Sequence, residues 1–347
     1  MRYALRLFFG HPTGHDLRKG LSLKIGDETV FVHGKLSGII EDERGHKLVV
    51  SAKGAAGIKS CILCQNVVKP TSDLLPDPTN FLVSSTCLDV RRFVPHTKGS
   101  IQGIFSRLKA MVEDPLVSKA AVEREQVLLG FTYIPETLVS DPHLDIDIPG
   151  TLQWDWMHCY LVNGLFQREV SEFASRLKGH SLGADRIHDY LQSWNWPRGY
   201  VDAKSCFAKH KLTGSASQCI SLAPVLERYL IEEVEPSGLL PVETASCRAL
   251  CQVLQMLMVV NSGIYTAVDL GVAISNHLGR HRAAYDEDLF APKDHWILHL
   301  PRLYQMHGIL ISCFLMERKH RVCKRFMIVE THSFFDYGVR NHSAALV

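Results

Sequence analysis

Apolar and polar residues alternate near the start of the chain. Leu21-Ser22-Leu23-Lys24-Ile25 has a period of two, Gly26-Asp27 interrupts it, and Thr29-Val30-Phe31-Val32 resumes it. Two such runs around a turn predict a strand pair. Residues 36–40 and 47–51 are further strand candidates, so 17–50 reads as β-rich. Between Ser60 and Thr97 the periodicity vanishes and Cys, Pro, Asp and Asn take over, as in a loop region knit by something other than its own core. Residues 100–130 predict one or two helices. Thr151-Leu152-Gln153-Trp154 reads as a short strand ending at Asp155, followed by a helix over roughly 157–177. From there to about Gly279 nearly everything reads as helical, punctuated by Pro197, Pro224 and Glu235-Pro236-Ser237-Gly238. A last helix is expected over roughly 302–325. There is no internal repeat. The order predicts an α+β core with a helical insertion.

Composition adds bounds. A chain of 347 residues, 46% apolar and 21% charged, can bury a substantial core as one large domain or two or three smaller ones. No window reaches the uninterrupted run of about 18 apolar residues that suggests a membrane span. The best window, 253–274, contains Gln255, Asn261, Ser262 and Asp269 and predicts a buried helix. The apolar patch 5–9 is broken by Arg6 and is too short for a signal-peptide core. Net charge is only +2, so any nucleic-acid footprint must be local. One local concentration exists: Arg318, Lys319, His320, Arg321, Lys324 and Arg325. Ten cysteines in a chain this long and apolar point to a reducing compartment, with most thiols buried and a few binding metal.

Four segments could carry chemistry. Cys61-Ile62-Leu63-Cys64 places two thiols at a spacing that lets both reach one tetrahedral zinc, and Cys87 and His96 are the next soft ligands along the chain. Ordinary buried cysteines are the alternative. Trp154-Asp155-Trp156-Met157-His158 ends a strand with a carboxylate and sets His158 on the same helical face; a plain helix N-cap explains Asp155 equally. Glu317 stands between the apolar run 309–316 and the basic stretch, as a metal ligand beside a phosphate-binding surface or as an ion-pair partner of Arg321. Ile39-Ile40-Glu41-Asp42-Glu43 ends an apolar strand in acids, which suits a metal ligand or a polar turn. A phosphate-binding Gly-rich loop of either common type is absent, and no Cys or Ser has a nucleophile's context.

Taken in order, these segments resemble the transposases of the CACTA (En/Spm-type) elements. Ile39-Ile40-Glu41-Asp42, then Lys53-Gly54-Ala55-Ala56-Gly57 and Cys61-Ile62-Leu63-Cys64, look like that family's first catalytic aspartate, glycine-containing segment and Cys-x-x-Cys pair, with 18 residues between Asp42 and Cys61. Asp155-Trp156-Met157-His158 with Gly164 is similar to its Asp-x-x-His motif. Pro292-Lys293-Asp294-His295, His299-Leu300, Gly308 and Phe314-Leu315-Met316-Glu317-Arg318 resemble its closing block. Thr86-Cys87 and Arg91-Arg92-Phe93-Val94-Pro95-His96 look like its zinc-loop continuation, with Cys87 where a histidine is usual. The resemblance covers roughly 36–326.

The resemblance implies an RNase H-like core with a zinc loop at 58–98 and a large all-helical insertion. The core's first part would span 1–168, the insertion 169–290 and the closing part 291–347. The 161 residues between Asp155 and Glu317 leave room for the insertion. It further implies two-metal phosphoryl transfer on DNA. Asp42, Asp155 and Glu317 would hold magnesium or manganese, with Asp27 and Glu41 as alternatives to Asp42. His158 would orient Asp155 or contact a phosphate. Cys61, Cys64, Cys87 and His96 would hold zinc, and Arg318, Lys319, Arg321, Lys324 and Arg325 would bind the DNA backbone. Transposon ends would be the partner, in the nucleus, with no membrane and with room for a homo-oligomer. A catalytically silent, transposon-derived zinc- and DNA-binding protein stays open as the alternative to an active enzyme.

Overall fold

The computed structural model describes residues 2–10, 16–135, 137–141, 143–196, 206–208 and 211–314. Met1–Ile311 is one compact unit, and Ser312–Val347 is a second, of which only 312–314 are described. Glu317, Arg318, Lys319, Arg321, Lys324 and Arg325 therefore lie outside the described residues.

Helix α1 (Arg2–Phe9) precedes the expected hairpin, in which β1 (Leu21–Ile25) pairs antiparallel with β2 (Glu28–Val32) across Gly26-Asp27. Strand β3 (Ile39–Glu41) runs parallel to a strand far along the chain, β6 (Leu152–Trp154), with Glu41 opposite Trp154. The strand expected at 47–51 is instead covered largely by helix α2 (Glu43–Val49). Asp42 starts it by accepting the Gly45 N–H at 2.6 Å, and Lys47 pairs with Glu43 one turn back at 2.8 Å. Those local bonds and the burial of His46 outweigh a weak alternating pattern.

The irregular region is pinned by the two-residue strands β4 (Val67–Val68) and β5 (Val83–Ser84), paired in parallel. Helices α3 (Lys98–Glu113) and α4 (Lys119–Leu129) follow, started by Thr97 and Ser118 caps. A short helix, α5 (Ile148–Thr151), leads into β6.

Where one helix is expected after Asp155 there are two, α6 (Trp156–Tyr160) and α7 (Leu165–Arg176). The break falls at Asn163-Gly164. A side chain at Gly164 would come within 2.4 Å of the Cys159 carbonyl oxygen, so only glycine permits that close return. The helical block continues as α8 (Ala184–Ser193), α9 (Ala216–Tyr229), a π-turn into α10 (Glu235–Ser237), α11 (Pro241–Val259) and α12 (Ala267–Tyr285). It is not wholly helical, because β7 (Phe207–Ala208) and β8 (Lys211–Leu212) form a small hairpin within it.

The apolar window 253–274 is split between α11 and α12, with Thr266 capping the second helix. These two helices pack along one another and against α7, α9 and α14 (Leu300–His307), which follows α13 (Pro292–Ile297). The last expected helix is interrupted after His307, and its part from 315 onward lies outside the described residues. Gly308 takes φ +69° and its N–H bonds the Tyr304 carbonyl at 2.8 Å, closing α14 before the 309–316 apolar run. The fold is thus α+β and mostly helical, with two-stranded sheets, and among the described residues no helix is long and apolar enough to cross a membrane.

Candidate metal centre

Four buried side chains from two segments more than two hundred residues apart meet. Cys61, Cys64, His295 and His299 offer donor atoms that all lie within 4.8 Å of each other. His299 Nε2 is 3.3 Å from each thiol sulfur, His295 Nε2 is 3.5 Å from Cys64 Sγ, and the two Nε2 atoms are 3.1 Å apart. Zinc bonds of about 2.0–2.3 Å in a tetrahedron put neighbouring donors about 3.3–3.8 Å apart. Two thiols and two imidazoles at these spacings, buried and facing inward, fit zinc. The cluster can hold one ion.

Its electrostatics suit that use. Burial pushes the Cys61 thiol up, but the Cys64 thiol and the imidazoles of His299 and His295 outweigh it and hold Cys61 well below the usual thiol range. Cys64 is driven the other way by Cys61 and by burial, since two bare thiolates cannot share so small a space. Burial lowers His295, keeping its ring neutral as a metal ligand must be.

Each ligand is positioned by a separate device. The Cys61–Cys64 turn is held by the loop that follows: Cys64 bridges Pro95, Gln65 N–H bonds the Val94 carbonyl at 2.8 Å, and His96 N–H bonds the Leu63 carbonyl at 2.9 Å. Asn66 braces the same loop through Phe81, Arg92 and Val94. The histidines lie four residues apart, in α13 and at the start of α14. Lys293 fixes α13 by donating to the carbonyls of His158 and Val162 at 2.9 and 2.6 Å, while Asp294 is gripped by Arg168. Trp296 stacks on Trp154 at 4.3 Å and donates to the Ser60 carbonyl at 3.1 Å, beside Cys61.

The pair Cys61 and Cys64 is therefore where the sequence suggested, but the structure supplies a different second pair. Cys87 is half-buried with its sulfur 4.0 Å from the Asp89 carbonyl, outside the cluster. His96 is buried nearby, its Nδ1 2.8 Å from Ser100 Oγ, so it braces the start of α3 instead of a metal. Nearness in sequence favoured Cys87 and His96. The signal for the actual pair was the His-x-x-x-His spacing of 295 and 299, which puts two imidazoles on one side of a helical stretch.

The acidic residues occupy a second place. Because Glu41 faces Trp154 in a parallel pair, Asp42 and Asp155 leave adjacent strand ends side by side. Both also cap helices: Asp155 Oδ1 accepts the Met157 N–H at 3.1 Å, and its Oδ2 is engaged by His158 Nδ1. His46, packed edge-on against Trp154 at 4.8 Å, feels both carboxylates, although burial wins and lowers it to about 4. Glu41 turns one buried oxygen to no hydrogen-bond partner, and burial next to Asp42 raises it to about 7. Asp27 sits exposed in the turn of the β1–β2 hairpin. Compared with models of known protein families, with curated proteins and with solved structures, the chain matches none.

Proposed function

We propose that the chain is the catalytic region of a CACTA-type transposase, an RNase H-like core that cuts and joins DNA by metal-dependent phosphoryl transfer. One observation carries the reading: Asp42 and Asp155 emerge together at the carboxyl ends of two paired parallel strands. Neighbouring strands lie about 4.8 Å apart, so carboxylates leaving the same edge can share a cation. Their oxygens suit magnesium or manganese, which when bound would activate a water or a DNA 3′-hydroxyl and stabilise the leaving oxygen. His158 holds one oxygen of Asp155 and so sets that carboxylate's orientation. By the resemblance, Glu317 completes the acidic triad, and Arg318, Lys319, Arg321, Lys324 and Arg325 hold the DNA backbone. A zinc ion at Cys61, Cys64, His295 and His299 would tie the loop between α2 and β4 to α13 and α14, with no step of its own in the chemistry.

The second reading is a silent, transposon-derived zinc- and DNA-binding protein. It is favoured by the state of Asp155, which is 1% exposed with both oxygens engaged. The experiment compares nicking of supercoiled DNA by wild type and Asp155→Asn across a magnesium titration, with thermal melting as the folding control. Asparagine keeps the size and the cap. Metal-dependent nicking by wild type alone, with equal melting, supports the enzyme. Equal nicking by both removes Asp155 from the mechanism. No nicking by either folded protein favours the silent reading.

A further inference from the structure

A second group of buried ligating side chains lies in the helical block. Glu169 on α7 faces His277 and His281 on α12, and all three are fully buried. Glu169 Oε2 is 2.8 Å from His277 Nε2 and 3.9 Å from His281 Nε2. Its other oxygen accepts a hydrogen bond from Ser246 on α11 at 2.6 Å. His281 has no hydrogen-bond partner on either ring nitrogen, and His277 has none on Nδ1. Buried polar atoms are almost always satisfied, and a buried imidazole with two idle nitrogens is an unusual debt.

We propose that Glu169, His277 and His281 form a second metal site, for a first-row divalent cation of the zinc type. Two histidines one helical turn apart, with a carboxylate from a facing helix, are a familiar donor set for such an ion. The carboxylate oxygen is near both rings, but the three donors do not all lie within 4.8 Å of one another, so the two imidazoles must close on each other to share an ion. Donors around one ion with bonds of about 2.0–2.2 Å lie about 3.3 Å apart. The two distances from Glu169 Oε2, 2.8 and 3.9 Å, straddle that value, and the imidazole centroids are 6.0 Å apart. Binding would therefore turn both rings toward the Glu169 oxygen, with His281, which has no hydrogen bond to break, moving most.

The surroundings fit. Ser246 fixes the carboxylate from outside, as the hydrogen-bonding shell around metal ligands commonly does. Cys247 borders the same cluster, its sulfur 3.7 Å from the Tyr285 hydroxyl. The rings of Tyr285 and Phe290 close over His281 at 5.2 and 5.1 Å. With no open path, the ion would enter as the helices assemble, so its binding would be part of folding. It would staple α7 to α12 across the middle of the helical block. The inference needs no DNA and stands apart from the transposase reading.

The test uses the full chain, produced with zinc and freed of loosely held metal by gel filtration. Metal analysis should find about two zinc ions per chain, and X-ray absorption at the zinc edge should find about one sulfur per zinc. His281→Gln should lose one ion while the sulfur count per zinc rises to about two. A buried Glu169–His277 ion pair without metal predicts one zinc with two sulfurs in the wild type, and that result overturns the proposal. So does a His281→Gln protein that keeps both ions. The absorption measurement needs only the wild type, so misfolding of the variant leaves the proposal testable.

Discussion

Replacing Cys64 by serine tests whether the Cys61/Cys64/His295/His299 centre is a brace. Serine keeps the size and removes the soft sulfur that faces both imidazoles at 3.3 and 3.5 Å. The magnitude follows from topology. The link from Cys64 to His295 closes a loop of 231 positions. Loop-closure entropy for a cross-link of that span is worth about 5.5 kcal/mol at 25 °C. Total stabilities of domains run about 5–15 kcal/mol, so the brace would be a large share of what keeps this unit folded. The variant should contain one zinc fewer per chain than wild type and melt roughly 10 °C or more lower. Wild type treated with a strong chelator should reproduce the loss. The assay pairs metal analysis with thermal melting on the same samples. An unchanged zinc content would show that the four side chains are not the site. Loss of one ion with an unchanged melting temperature would show that the centre binds zinc without bracing the fold.

Three further outcomes are expected. Trp296→Ala removes the 4.3 Å stack on Trp154 and the bond to Ser60, and should cost about 3–5 kcal/mol in denaturant unfolding; a loss below about 1 kcal/mol would refute the coupling described here. His46 is held near 4 in the fold against 6.5 ordinarily, so the unfolded chain takes up its proton first as the pH falls. Stability should therefore drop from about pH 6.5 to about pH 4 by up to ~3 kcal/mol from this residue, and His46→Phe should flatten that slope; parallel slopes would contradict it. Gly308→Ala meets no atom within 4 Å but must keep φ +69°, so it should destabilise by about 1–2 kcal/mol through the backbone alone, and a neutral melting curve would show that the turn relaxes.

Much of the local structure was legible because short-range rules decide it. The β1–β2 hairpin follows from alternation around Gly26-Asp27, and helix over 100–130 from spacing, although only the structure shows two helices there, each with its own cap. The strand ending at Asp155 was visible as well. What failed to read was set by tertiary partners or by single glycines. Residues 47–49 alternate weakly yet join a helix, because the Asp42 cap and the Glu43–Lys47 pair act within one turn. Gly164 and Gly308 each end a run that periodicity alone would continue. The metal centre was half legible for the same reason. Cys61 and Cys64 announce themselves by spacing, whereas His295 and His299 reach them only once α13 has docked on α6 and α7 through Lys293 and Arg168. No local pattern encodes a contact across more than two hundred residues.

That docking joins the candidate zinc centre to the acidic strand ends through adjacent residues. Ser60 precedes the ligand Cys61, Trp154 precedes Asp155, and Trp296 follows the ligand His295. Trp296 touches both of the other two, stacking on Trp154 and bonding Ser60. Lys293, on the same short helix, holds the carbonyl of His158, the residue that engages Asp155. An ion that fixes α13 therefore also fixes the end of β6 and the start of α6. Close-packed interiors transmit such displacements instead of absorbing them. A shift of α13 would move the Asp155 carboxylate relative to Asp42, and the cation proposed to lie between them would tolerate little change in donor spacing, magnesium least of all. A zinc ion held by Cys61, Cys64, His295 and His299 would thus set the spacing of the two strand ends while offering no donor to them.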